Sequence, residues 1–299
     1  MTKLGYYKSR FHHPDISQEW ISLNNAGLQP ITLDAKLDMQ MWAERFYKEG
    51  FLTDSDYAKA VENTRRNLAS LIKCETSEIA FFASTAGGIN QIAWKLPLSD
   101  QDEVLILEQD YPSLVYPFEQ ASLEKGYQIR KVSTSHPSLA FDVNQILSQV
   151  TQNTKVLAIS WYQYQTGATC DFEYLLKKLK EKNIFVLLDV MQGLGLHEFL
   201  LWQKGWIDAV VGGSHKWLSS PVGVGFLSLK KDWIPKIGPH NIGALTFGSC
   251  DDVAQLNCFM KSDATRYEPA SKAAVEISAL GKSVELILKT SPSVILDEA

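Results

Sequence analysis

The sequence predicts an α/β fold, a mostly parallel central sheet with helices on both faces, and three observations predict it. Short apolar runs alternate with amphipathic stretches from about residue 33 to residue 230, the pattern of repeated βαβ units. Most of these runs are apolar at every position, which is how strands covered on both sides read. With 299 residues, 45% hydrophobic and 21% charged, the chain can bury a sizeable core and fits one large domain plus part of another.

In chain order, the N-terminal MTKLGYYKSRFHHPDIS lacks the apolar stretch of a secretory leader. His12 and His13 are an adjacent pair in polar surroundings and read as solvated, so no metal is assigned. Helices are expected over 33–49, ending before Gly50, and over 54–72, opening at an Asp54 cap. Strands are expected at 79–83, 103–107, 127–133, 155–160, 184–188, 207–211 and 222–229, with amphipathic segments such as DFEYLLKKLKEK between most of them. Near residue 235 the composition shifts: PKIGPHNIGALTFGSCDD reads as loops across a site mouth. A last helix is expected from about Pro269 to Lys289, with proline allowed in its first turn.

A net charge of −5 gives no electrostatic footprint for nucleic acid. No run approaches the length of a membrane span. Cys74, Cys170, Cys250 and Cys258 lack CxxC or metal-ligand spacing and read as reduced thiols of a cytoplasmic protein.

Three features carry chemistry. In VVGGSHKWLSSPVGVGFLSL an apolar run breaks at glycine and presents one amine, Lys216, among Gly212, Gly213, Ser214, His215 and Trp217. Partial desolvation there lowers a lysine pKa and frees the amine as a nucleophile. In NIFVLLDVMQGLG a buried-strand pattern ends on Asp189, where a carboxylate points into the crevice used by open α/β sheets. In EIAFFASTAGGINQIAWKLP a short strand runs through Ser84, Thr85, Ala86, Gly87 and Gly88 into a helix start suited to an anion. Singly, the aspartate reads as a helix cap and the turn as ordinary capping. Together, in this order, they point to a phosphate-bearing aldehyde, pyridoxal phosphate, whose imine needs the lysine and whose ring nitrogen needs the acid. The turn is neither GxGxxG nor a Walker loop, which disfavours dinucleotides and nucleoside triphosphates.

On the ordered series LNNAGLQP, STAGGINQIA, EQDYPS, YQTG, DVMQGLG, SHKWLSSPVGVGFL and RYEPAS, the chain resembles the class V aminotransferase family of fold type I pyridoxal-phosphate enzymes. That group includes cysteine desulfurases, kynureninase and isopenicillin epimerase-like proteins. The resemblance implies Lys216 as the lysine that forms the imine and Asp189 as the partner of the ring nitrogen. It implies Gln192 at the cofactor's phenolic oxygen, Tyr111 stacked on the ring, a sensible role for an aromatic, and Tyr164 among the cofactor contacts. Thr85, Ala86 and Gly87 match its phosphate loop, with Ser214 and His215 as further donors. Ser271 or its neighbour would reach the phosphate of a second subunit, so a homodimer with shared sites is implied. Gly213, Ala86 and Ala270 depart from residues common in the family. His215, Gln192 and Tyr111 each retain a plain structural reading: a carbonyl partner, a helix cap and a core ring.

The implied organisation is an N-terminal segment over 1–20, a cofactor-binding large domain over 21–245, and over 246–299 a linker with the first helix of a truncated small domain. In relatives that domain carries the carboxylate-binding arginine and, in desulfurases, the attacking cysteine. Arg266 matches a structural arginine, and Cys250 and Cys258 do not match that nucleophile. Three functions follow as expectations: an aminotransferase-like enzyme acting on an amino acid or small amine, a cysteine desulfurase or selenocysteine lyase-like activity, or a non-catalytic homologue that binds cofactor or dimerises.

Overall fold

The computed structural model describes residues 2–11, 24–50, 54–133, 141–248 and 258–297. His12, His13 and Cys250 lie outside them. Seven strands form one sheet: β1 (Ile79–Phe82), β2 (Glu103–Leu107), β3 (Gln128–Val132), β4 (Thr154–Ser160), β5 (Phe185–Asp189), β6 (Ala209–Gly213) and β7 (Gly225–Leu229). Their order is β1-β7-β6-β5-β4-β2-β3. The β2–β3, β2–β4, β4–β5 and β5–β6 pairs are parallel, and β7 runs antiparallel to both neighbours.

Alternation along the central strands divides the core in two. On β5, Val186 and Leu188 join one apolar cluster while Phe185 and Leu187 join the other, and β4 splits Leu157 and Ile159 from Val156 and Ala158. Period-two side chains therefore feed both faces from one run, each fully buried Leu, Ile or Val contributing about 1.5–3 kcal/mol. One face is covered by α3 (Asp54–Ile72), α7 (Phe172–Lys180) and α8 (Ala274–Thr290), the other by α4 (Thr85–Lys95) and α5 (Pro112–Lys125). The remaining helices are α1 (Lys3–Ser9), α2 (Leu33–Glu49), α6 (Val143–Ser148) and α9 (Pro292–Leu296). α8 packs on both α2 and α3.

The helices expected over 33–49 and 54–72 have those bounds, with Asp54 as the first residue inside its helix rather than a flanking cap. α8 starts at Ala274, later than the sequence pattern suggests. The carbonyls of Pro269 and Lys272 accept from the Leu245 N–H at 3.0 Å and the Tyr57 hydroxyl at 2.5 Å, tertiary bonds that hold this stretch outside the helix.

Cys74 and Cys170 are free thiols, but Cys258 is disulfide-bonded, which corrects the expectation of four reduced cysteines. Bonding depends on spatial approach, and the sequence spacing gave no sign of it. Among the described residues no helix is long and apolar enough to cross a membrane, and no group of His, Cys, Asp and Glu could hold a metal ion.

Candidate active site

Parallel strands deliver their C-terminal ends to one edge of the sheet, and the chemistry-bearing residues follow those ends. Asp189 closes β5, Ser160 closes β4 in register with it, and Tyr111 follows β2 at the entrance of α5. Lys216 lies three residues beyond β6, and Ser84 and Thr85 begin α4 after β1. These residues share one cavity of about 160 Å³, lined also by Ala86, Tyr162, Tyr164, Met191, Gln192 and His215.

Glycine permits the close approaches. A Cβ on Gly225 would fall 2.1 Å from the backbone carbon of Ser84, so only glycine lets β7 pass the start of α4. A Cβ on Gly213 would crowd Thr85 Oγ1 at 2.8 Å and Met191 Sδ at 3.0 Å. At the head of α4 the Ser84 hydroxyl accepts from the Gly87 N–H at 3.3 Å. The Gly87 N–H also reaches the Ser84 carbonyl at 3.1 Å, which leaves the Thr85 and Ala86 N–H groups at the head of the helix to make this corner receptive to an anion.

Asp189 is 4% exposed. One of its oxygens accepts from the Met191 N–H at 2.8 Å, and the carboxylate lines the cavity. Burial pushes its pKa up to about 7, with Asp110 adding to the rise while the Met191 N–H and Lys216 oppose it. Burial lowers the Lys216 pKa, and Asp189 pulls it back up. The Lys216 ammonium has no hydrogen bond among the described residues and sits 5.6 Å from the centroid of the Tyr111 ring. Burial and the neighbouring Lys216 lower the His215 pKa. Tyr111 meets Tyr164 edge to face at 5.1 Å, and Tyr162 stacks on His197 at 4.9 Å.

Gln192 is fixed at both ends of its amide. Its Nε2 donates to the Ala26 carbonyl at 2.9 Å and its Oε1 accepts from Trp217 Nε1 at 2.7 Å. The Gln29 N–H donates to the His215 carbonyl at 3.0 Å. The NNAGLQP segment is thereby tied to the Lys216 loop.

Of the residues singled out from sequence, Thr85, Ala86, Tyr111, Tyr164, Asp189, Gln192, His215 and Lys216 line this cavity. Ser214 does not: it is fully buried, and its hydroxyl donates to the Pro221 carbonyl. Gly87 and Ser271 line a second cleft of about 450 Å³, together with His240, Asn241, Glu268 and Lys272. Sequence reasoning missed Ser113, Ser160, Tyr162 and Met191 as cavity walls, although Ser160 and Met191 flank the ends of runs it had identified. It also missed Asp110, which stands beside Tyr111 in EQDYPS.

The fold matches that of the large domain of fold type I pyridoxal-phosphate enzymes. Residues 42–295 match the aminotransferase class-V family, and the chain belongs to it. The family uses pyridoxal phosphate. A probable cysteine desulfurase of Mycoplasma genitalium is 23% identical over 95% of this chain and 70% of its own length. An uncharacterized aminotransferase of Schizosaccharomyces pombe is 26% identical over 78% of this chain, and a cysteine desulfurase of Wigglesworthia glossinidia brevipalpis 28% over 77%. The chain spans 59% and 56% of the lengths of these last two. Among solved structures, a C-DES mutant with glycine covalently linked to its pyridoxal-phosphate cofactor superposes with a TM-score of 0.86 at 16% identity, covering 95% of this chain and 74% of that one. The cysteine desulfurase CsdA of Escherichia coli gives 0.84 at 16%, covering 98% and 73%.

Proposed function

We propose that this chain is a pyridoxal-phosphate-dependent, aminotransferase-like enzyme acting on an amino acid or small amine, with Lys216 and Asp189 as its catalytic residues. The observation that carries the reading is one amine and one buried acid lining a single cavity, without a direct ion pair between them, beside the Tyr111 ring and the open end of α4. That donor set fits the cofactor. The head of α4 with Thr85 and Ala86 suits the phosphate, Tyr111 and Tyr164 supply aromatic surface, and Gln192 and His215 supply polar contacts. Asp189 suits a protonated ring nitrogen.

The bound cofactor would supply an electron sink for the bond being broken at the substrate's α-carbon. The protein's part is acid–base and positional. Lys216, its basicity reduced by burial, would hold the cofactor aldehyde and, once freed by the substrate amine, would accept the α-proton at Nζ and deliver it onward. Asp189 would hold a proton on the ring nitrogen of a bound cofactor. Tyr111, Tyr162, Tyr164 and Met191 line the same cavity and would flank a bound ring.

A homodimer belongs to the reading. Ser271, lying in the second cleft rather than beside Lys216, would serve the partner's phosphate. The division into segments 1–20, 21–245 and 246–299 and a cytoplasmic location also stand as part of this proposal.

The relatives named as cysteine desulfurases favour a second reading, cleavage of a carbon–sulfur bond in cysteine or a related amino acid. Purified protein supplied with pyridoxal phosphate and an amino-acid panel, with keto-acid and sulfide measured in parallel, separates the two. Keto-acid formation dependent on Lys216 supports the first. Sulfide release from cysteine replaces it with the second, and neither product from any amino acid or amine overturns both.

A further inference from the structure

We infer that Asp110 is a positioning residue of the Lys216 cavity: it fixes Tyr111 and Ser160 on two of its walls and, through Ser160, sets a second carboxylate one strand away from Asp189. The inference deepens the functional reading above and rests on it for what the cavity is used for.

Asp110 is 5% exposed, and no cation pairs with it among the described residues. Its carboxylate instead collects three neutral donors. Oδ2 accepts from the Ser160 N–H at 2.9 Å, and Oδ1 accepts from the Ser160 hydroxyl at 2.5 Å and from the Tyr111 N–H at 2.7 Å. A buried carboxylate without a counter-ion costs several kcal/mol unless hydrogen bonds offset it, so an acid used only to fill space here would be a poor choice. Helix capping does not account for it either. The residue flanking α5 is Tyr111, which makes no side-chain cap bond, and Asp110 contacts none of the N–H groups inside the helix.

What Asp110 does is join two strand ends at the rim. It sits after β2, and its acceptors reach Ser160 at the end of β4, the residue in register with Asp189 on β5. The Trp161 N–H then donates to the Asp189 carbonyl at 2.8 Å, so backbone bonds run from Asp110 through Ser160 and Trp161 to Asp189. On its other side, Asp110 holds the Tyr111 backbone whose ring faces Lys216 Nζ. Moving that backbone moves the wall.

The second carboxylate also sets the field. The charged and titratable groups that share the cavity with Asp189 are Lys216 and His215 after β6, and the hydroxyls of Tyr111, Tyr162 and Tyr164. Burial raises the pKa of Asp110, in the turn after β2, while the Ser160 and Tyr111 donors hold it down; its ionised form raises the proton affinity of Asp189, and Lys216 lowers it. An acid placed between these two opposing neighbours is the more basic for having Asp110, and a more basic carboxylate is a stronger acceptor for a ring N–H.

The test is the titration of Asp189 in the full chain, followed by the carbon-13 signal of labelled aspartate and assigned with Asp189→Asn. In wild type the midpoint lies near 7. In Asp110→Asn, which keeps the shape and removes the charge, it falls by on the order of one pH unit. An unchanged midpoint in a folded variant overturns the inference, because a merely structural role would not move it. Should that variant fail to fold, Ser160→Ala carries the test. It removes one donor and leaves Asp110 less able to hold its charge, so the Asp189 midpoint falls by less, and no fall overturns the inference. Pyridoxal-phosphate retention on dialysis is measured alongside. If wild type retains no cofactor, the functional reading fails while the titration still decides the role of Asp110. If wild type retains it and the midpoints coincide, the role of Asp110 fails and the functional reading stands.

Discussion

Two acid–base pairs in this molecule bring a cation and a carboxylate out of water, and they are held in opposite ways. Arg65 on α3 and Glu268 before α8 are each 2% exposed at the side chain and paired by two hydrogen bonds, 2.9 and 3.2 Å. Every remaining direction is filled. Arg65 donates to the Ile79 carbonyl and to Glu62 and lies over the Phe81 ring, while Glu268 also accepts from the Phe81 N–H and Lys272. Lys216 and Asp189 line one cavity. The ammonium has no hydrogen bond among the described residues, and the carboxylate has one. Saturated charges lock elements together, here α3, β1 and the segment leading to α8. Unsaturated ones keep their binding capacity for something that arrives.

The largest effect that sharpens this contrast is on stability. Glu268→Ala removes the buried counter-ion of Arg65, leaving it only the half-exposed Glu62, and is expected to destabilise the fold by about 3 kcal/mol, read as a drop in denaturant midpoint. Lys216→Ala is expected to cost less than about 1 kcal/mol or to stabilise, because it relieves a desolvated cation. The reverse order of these two effects breaks the comparison.

The next effect is a pH dependence. Asp189 rises from 3.8 to about 7 on folding, so the folded state favours its protonated form. Its contribution to stability is therefore full below about pH 4, declines as pH rises, and is gone above about 7, with a ceiling of about 4 kcal/mol. Asp189→Asn is expected to flatten that part of the stability profile in denaturant titrations between pH 4 and 8. A profile identical to wild type would mean that the carboxylate is not held in the buried state described.

Smaller effects test the anion corner. Gly225→Ala drives a methyl group into the Ser84 backbone and is expected to cost about 1–3 kcal/mol and to weaken phosphate protection of the folded state. Ser84→Ala removes the cap of α4, at about 1 kcal/mol, with the fold unchanged by circular dichroism.

Much of this was legible in the sequence, and the reasons are local. Asp189 and Lys216 each end an apolar run, so strand periodicity alone puts them at the sheet edge, and a parallel topology puts both at the same edge. The two long N-terminal helices were legible from their periodicity and the glycine that ends the first. The start of α8 was not, because it depends on Leu245 and Tyr57, which are distant in sequence and take the carbonyls of Pro269 and Lys272. Asp110 was missed for the same reason. Its partner Ser160 lies fifty residues away, and nothing in EQDYPS marks its acid as facing another strand. The separation of Gly87 and Ser271 from the Lys216 cavity likewise depends on how the chain closes around the start of α4, which no local pattern states.

The central claim is that Lys216 is the one amine poised to capture an aldehyde cofactor. Wild type and Lys216→Ala are each incubated with one equivalent of pyridoxal phosphate, reduced with borohydride, digested and analysed by mass spectrometry. The account predicts a stoichiometric cofactor-sized mass increase on the Lys216 peptide of the wild type and none on the corresponding peptide of the variant. Equal labelling of the two proteins, or a label concentrated on another lysine, would contradict it.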